Sequence, residues 1–113
     1  MAKTRKHLYE GMYILSATLS DDARQKALEK ITSGITTRGG EIRKMFDQGR
    51  RKLAYEINSK REGYYYILYF SISTKVMNDL WREYHLNEDL LRFLTLRTES
   101  VPEKLEFKSI AQE

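Results

Sequence analysis

Residues 49–70, GRRKLAYEINSKREGYYYILYF, constrain the fold more than any other stretch of the chain. Arg50, Arg51 and Lys52 stand in a row, and apolar and polar residues then alternate through Leu53, Ala54, Tyr55, Glu56 and Ile57. A short polar break from Asn58 to Glu62 leads through Gly63 into an aromatic run, Tyr64 to Phe70. Alternation at period two, a polar break and a second β-rich run predict a β-hairpin. The same stretch concentrates cations and aromatic rings. Cations neutralise phosphate and rings stack on bases, so these residue types point toward nucleic acid.

The segments on either side complete the pattern. Leu8 to Ser16 is rich in β-formers, with Tyr9, Gly11, Tyr13 and Leu15 on one face and Leu8, Glu10, Met12 and Ile14 on the other. Both faces carry apolar groups, which suits a central strand. Ser20 is a helix N-cap, and Asp21 and Asp22 suit the positive end of the helix dipole. Ala27, Leu28, Ile31 and Ile35 recur at helical spacing, and Gly39 and Gly40 supply the stop. Glu41 to Gln48 reads as a strand, with Gly49 marking a bend or bulge before it resumes. Ser73 or Thr74 starts a second helix over about Lys75 to Leu86, whose buried stripe is expected to be Val76, Leu80, Trp81 and Tyr84. Leu90 to Thr98 is the last strand, and Pro102 ends regular pairing.

The order β-α-β, β-α-β predicts an α+β, ferredoxin-like βαββαβ domain: a four-stranded antiparallel sheet with two helices on one face. In its usual strand order, 4-1-3-2, the second strand lies at an edge and the far face of the sheet has no helix to cover it. The predicted organisation is a basic arm at 1–7, a domain at 8–98 and an acidic, loosely held tail at 99–113. At 113 residues there is room for one domain. Net charge is +4, from 20 Lys and Arg against 16 Asp and Glu, a mild tilt toward an anionic partner. The absence of cysteine excludes a disulfide scaffold and a thiolate zinc site. The longest apolar-aromatic run is seven residues, far short of the roughly 20 that cross a bilayer. Glu10 interrupts the apolar stretch after the basic N-terminus, so no signal peptide is read and cytoplasmic residence is expected.

Here the chain resembles a known family, that of bacterial small-subunit ribosomal protein six. The resemblance is carried by Tyr9-Glu10, by Gly49 through Ile57, by Gly63-Tyr64-Tyr65, by Val76-Met77-Asn78-Asp79-Leu80, and by the last strand with Arg92 and Arg97. It implies a ferredoxin-like fold, no catalysis, and residence in the small ribosomal subunit. There the chain would lie on ribosomal RNA beside small-subunit ribosomal protein eighteen. Members of that family often carry Pro at the position of Glu56, and their N-termini are shorter than Met1 to His7.

The residues expected to meet RNA are Arg5, Lys6, Arg50, Arg51, Lys52, Arg92 and Arg97. Each also has a plain reading. On an edge strand, Arg50, Arg51 and Lys52 would guard against strand-to-strand aggregation. Lys6 and Arg5 would sit on a solvated terminus, and Arg92 and Arg97 on a solvated face. Tyr55, Tyr64 and Tyr66 are expected to contact a partner protein. The run from Gly63 also resembles, loosely, the third-strand motif of RNA-recognition domains, with Met12-Tyr13-Ile14 as its first-strand counterpart. That gives a second reading, single-stranded RNA bound on the open sheet. Alternation requires one parity of the tyrosines to be core instead. Trp81 is expected in the core. His7 and His85 make no metal site, and neither a cofactor nor catalysis is expected. An acylphosphatase-like hydrolase would need a Gly-rich anion loop after the first strand, where Ser16-Ala17-Thr18-Leu19-Ser20 has neither Gly nor a cation.

Overall fold

The structure is a computed structural model that describes residues 6–57 and 60–103, with backbone alone for 54–56. The chain runs β1 (Lys6–Ser16), α1 (Asp21–Thr36), β2 (Glu41–Ile57), β3 (Lys60–Ser73), a single 3₁₀ turn (Thr74–Val76), α2 (Met77–Leu86) and β4 (Leu90–Arg97). The strands form one antiparallel sheet in the order β2-β3-β1-β4, which is the expected ferredoxin-like order with β2 at an edge. Lys6 and His7, expected in an arm, belong to β1.

Local chemistry starts and ends the elements where the residue types predict. The Ser20 hydroxyl accepts from the Ala23 N–H and caps α1, and Ser73 does the same for Lys75 ahead of α2. Gly39, at φ +83°, takes the chain out of α1, and the Gly40 N–H closes on the Ile35 carbonyl. Gly49 has φ +78° and sits where the β2–β3 register slips between Asp47 and Gly49. It is the expected bulge, and an L side chain there would be strained.

β3 is the central member of the packing. Tyr66 pairs with Tyr13, Leu68 with Gly11 and Phe70 with Tyr9, so these side chains share the helix-facing side of the sheet. They form one core with Leu15, Ile72 and Leu90, with Ala27, Leu28, Ile31 and Ile35 of α1, and with Met77, Leu80 and Tyr84 of α2. Tyr13 is fully buried, and its ring lies back over Gly11; a Cβ at Gly11 would stand 2.7 Å from the Tyr13 hydroxyl oxygen. The Tyr13 and Tyr84 hydroxyls hydrogen-bond to each other at 2.9 Å, satisfying both polar tips inside the core. The Tyr84 ring also meets Phe93 edge-on at 5.1 Å, which ties α2 to β4.

Trp81 corrects an expectation. It is 40% exposed, while α2 buries Met77, Leu80 and Tyr84. Position 81 follows Leu80 directly, so it is turned about 100° away from the buried stripe.

The buried tyrosine pair makes stability sensitive to alkali. Burial pushes Tyr84 up to about 12 and raises Tyr13 well above the ordinary phenol range, with Tyr84 adding to the latter. Above pH ~10 the unfolded chain loses phenolic protons that the folded chain keeps, so stability falls as pH rises. The urea midpoint should hold up to about pH 9 and decline from about pH 10 to 12. Y13F/Y84F should lessen that decline; an equal decline in the variant would deny the pair this role.

Candidate interface for RNA and a partner protein

β3 pairs with β1 from Ser73 down to Gly63 and no further, whereas β2 and β3 continue together through Lys52↔Glu62 and Ile57↔Lys60. The end of the hairpin therefore projects beyond the four-stranded body as a two-stranded ribbon. The cations lie where it leaves that body. Arg50 is exposed and donates from Nε to Glu62 Oε1 at 2.7 Å. Arg51 is half-buried, its Nε donating to the Gln48 carbonyl at 3.2 Å, and Lys52 is exposed. The Gly49 bulge supports this local geometry: the Asp47 carboxylate accepts from the Gly49 N–H at 2.8 Å.

Strand alternation splits this row. Arg50 pairs with Tyr64 and shares its helix-facing side, while Arg51 pairs with Gly63 and takes the open side. On the helix side the Arg24 guanidinium of α1 stacks over the Tyr64 ring at 4.1 Å, a cation–π contact. Sequence reasoning missed Arg24, because only the packing of α1 on the sheet brings it to β3.

The open face has a different membership from the expected one. Tyr66 is 3% exposed and belongs to the core, and Tyr64 packs against that core beneath Arg24. Both have the parity of Tyr13 and Leu15, so both rings lie on the helix side of the sheet. Tyr13 for the same reason cannot serve an open stacking platform. Among the described side chains, the tyrosines of the open side are Tyr65 and Tyr69, with Ile67 between them, Ile14 and Met12 on β1, and Phe46 on β2. Nor is this face bare. Tyr69 is 3% exposed, donates to Glu10, and meets the Phe46 ring edge-on at 6.0 Å. Burial and that carboxylate hold the Tyr69 phenol well above its usual range.

Lys44, on this side opposite Tyr69, donates to the carbonyls of Pro102 and Glu103. The chain after β4 thus crosses one end of the open face toward β2. Residues 104–113 of the expected tail lie outside those described.

Among the described cations expected to meet RNA, two from opposite edges of the sheet act on one group. Arg51 from β2 and Arg92 from β4 both act on the Tyr65 hydroxyl, pulling its pKa back against a rise caused by burial. Arg92 is exposed, as expected, and stands opposite Ile14. Lys6 and Arg97 lie at the other end of the sheet, where Arg97 bonds to the His7 ring. Arg5 lies outside the described residues, and the Tyr55 side chain does too. Among the described residues there is no group of three or more His, Asp or Glu side chains that could hold a metal, and no helix long and apolar enough to cross a membrane.

The family model for ribosomal protein S6 matches residues 8–97. The chain is 60% identical over 113 residues to small ribosomal subunit protein bS6 of Protochlamydia amoebophila, covering 100% of this chain and 99% of that one. It is 61% identical over 112 residues to small ribosomal subunit protein bS6 of Chlamydia pneumoniae, covering 99% and 100%. Among solved structures it is similar to 30S ribosomal protein S6 of Thermotoga maritima, with a TM-score of 0.78 and 29% identity over 83% of this chain and 89% of that one. With the βαββαβ order, the strand order and the cationic hairpin in place, these likenesses show that the chain belongs to the ribosomal protein S6 family of the small ribosomal subunit.

Proposed function

We propose that this protein is a non-catalytic structural component of the small ribosomal subunit in the bacterial cytoplasm. In this reading it binds ribosomal RNA and docks small-subunit ribosomal protein eighteen. The observation that carries it is the open face: an apolar floor in which Ile14 and Ile67 are buried and Met12 and Tyr65 half-buried, flanked by Arg51 and Arg92 from opposite sides. A floor of that kind suits a protein surface, with the flanking guanidiniums available to acids of the partner or to phosphate. The projecting ribbon supports the same reading. Two strands alone are marginal in water, so a ribbon with Arg50, Arg51 and Lys52 at its root gains from an anionic neighbour. Lys6, Arg97 and Arg5 extend the proposed RNA contacts to the other end of the sheet, and Tyr55 extends the proposed protein contact along β2.

The single-stranded RNA reading receives less support. Of the two open-side tyrosines among the described side chains, Tyr69 is buried against Glu10 and Phe46, and Tyr65 is half-buried. With Tyr69 buried, the described rings left on that side are Tyr65 and Phe46, both half-buried, a small base-stacking platform.

Cosedimentation decides the main proposal: the protein should travel with small subunits from gently lysed source cells, and its absence from them would overturn it. Tyr65→Ala separates the two readings. It should weaken binding of protein eighteen and leave affinity for isolated RNA within about twofold; a drop of tenfold or more on RNA alone, typical of a removed stacking ring, would favour the single-stranded reader. R50S/R51S/K52S should reduce the slope of log affinity for ribosomal RNA against log salt by about one for each phosphate no longer neutralised. An unchanged slope accompanied by new self-association would leave these cations only their guard role on β2.

A further inference from the structure

We infer that Arg24 of α1 is a positioning residue for RNA binding: it fixes the direction in which the β2–β3 ribbon leaves the sheet, and so holds Arg50, Arg51 and Lys52 in one arrangement before RNA arrives. This rests on the ribosomal RNA reading above. The ribbon needs such a restraint. β1 stops at Ser16, opposite Gly63, and β2 and β3 go on together as two strands. Two strands alone are marginal in water and twist more than a wide sheet. Each strand also has a glycine near the point of departure: Gly63 in β3, and Gly49, which pairs with Tyr65, in β2. A glycine inside a strand weakens it, having no side chain to pack.

Arg24 reaches that point from the helix layer. It stands four residues before Leu28, at the start of the stripe that runs through Ile31 and Ile35 in the core. Its side chain is only 24% exposed. The guanidinium lies over the Tyr64 ring at 4.1 Å, donates to Asp21 Oδ1 at 3.2 Å, and donates to the hydroxyl oxygen of the buried Tyr66. Tyr64 follows Gly63 and precedes Tyr65, the partner of Gly49, so the ring under Arg24 sits between the two glycines. From Tyr64 the contacts pass into the root of the ribbon. Arg50 is its partner on β2, and Arg50 Nε donates to Glu62 Oε1 at 2.7 Å. On the opposite side of the sheet Ile14 closes over Gly63, where a Cβ would stand 2.5 Å from Ile14 Cγ2. The point of departure is thus held on one side by Ile14 and on the other by Arg24 through Tyr64.

A guanidinium suits this role and an ammonium does not. Being planar, it lies flat on a ring while the N–H groups at its edge bond to Asp21 and Tyr66. Those donors face protein groups, and the row on β2 remains the one that meets phosphate. A ribbon already held in its binding arrangement loses less conformational freedom when RNA docks, so affinity rises without an added phosphate contact. Positioning and direct contact therefore separate in salt. The slope of log affinity against log salt counts the phosphates neutralised and is blind to how well the ribbon is held beforehand.

The test uses the full chain, with ribosomal RNA for affinity and free for amide exchange. R24M keeps an apolar stem and loses the guanidinium; R24K keeps the charge and loses the plane. Both should lower affinity for ribosomal RNA by about three- to tenfold with the salt slope unchanged, because no phosphate contact is lost. In the free chain the amides of Arg51 to Leu53 and Lys60 to Glu62 should exchange about tenfold faster, while those of β1 keep their rates. Y64L removes the ring beneath Arg24 and should act alike, and R24M/Y64L should be no worse than either single variant, as one shared contact requires. A slope shallower by about one in R24M would make Arg24 a phosphate ligand and overturn the positioning role. Full RNA affinity or unchanged ribbon exchange in R24M, or wild-type behaviour of R24K, would also overturn it. A wild-type chain without salt-dependent affinity for ribosomal RNA would overturn the ribosomal RNA reading and with it the role in binding, while the exchange rates alone would still decide whether Arg24 holds the ribbon.

Discussion

Tyr66 lies opposite Tyr13 across the β1–β3 pair, and both rings point toward the helices. That register decides the rest of the molecule. It places the Tyr13 hydroxyl against Tyr84, and through Tyr84 it ties α2 to Phe93 of β4. It also sorts the aromatic run of β3 by parity. Tyr64, Tyr66, Leu68, Phe70 and Ile72 go to the helix side, and Tyr65, Ile67 and Tyr69 go to the other. A slip of one residue would exchange these sets, bury the wrong hydroxyls and turn the core tyrosines toward water. Each correctly buried ring is worth about 1.5–3 kcal/mol, so the register is held by the sum of many such terms.

The same alternation distributes charge. Three adjacent cations look like one basic patch in the sequence. On a strand they cannot be one: Arg50 joins Arg24 and Tyr64 on the helix side, while Arg51 joins Arg92 around Tyr65. The basic character of the hairpin is thereby offered in two directions from a ribbon that extends past the sheet.

Several buried groups on the open face come from contacts no linear pattern displays. Tyr69 is sequestered by Glu10 and Phe46, which lie on two different strands, and Lys44 brings residues 102–103 back over the same side. An α+β sheet with helices on one face leaves the other to its own long side chains and to the returning chain. Here they cover part of it. What they leave is smaller than the aromatic content of β3 suggests.

The sequence by itself determined the element order, the cap Ser20 and a second cap at Ser73 or Thr74, a bend or bulge at Gly49, the core stripe of α1 and the family. These depend on local chemistry: a hydroxyl beside a helix N-terminus, a glycine where φ turns positive, and apolar groups at helical spacing. Only the tertiary structure decided which tyrosines face out, since a strand with apolar residues at both parities gives no local sign of its core side. Nor does sequence show that Arg24 covers Tyr64, that Arg51 and Arg92 both act on Tyr65, or that Trp81 stays half-exposed beside β4. Those facts depend on register between strands and on where each helix crosses the sheet, and both are settled by packing between residues far apart in the chain.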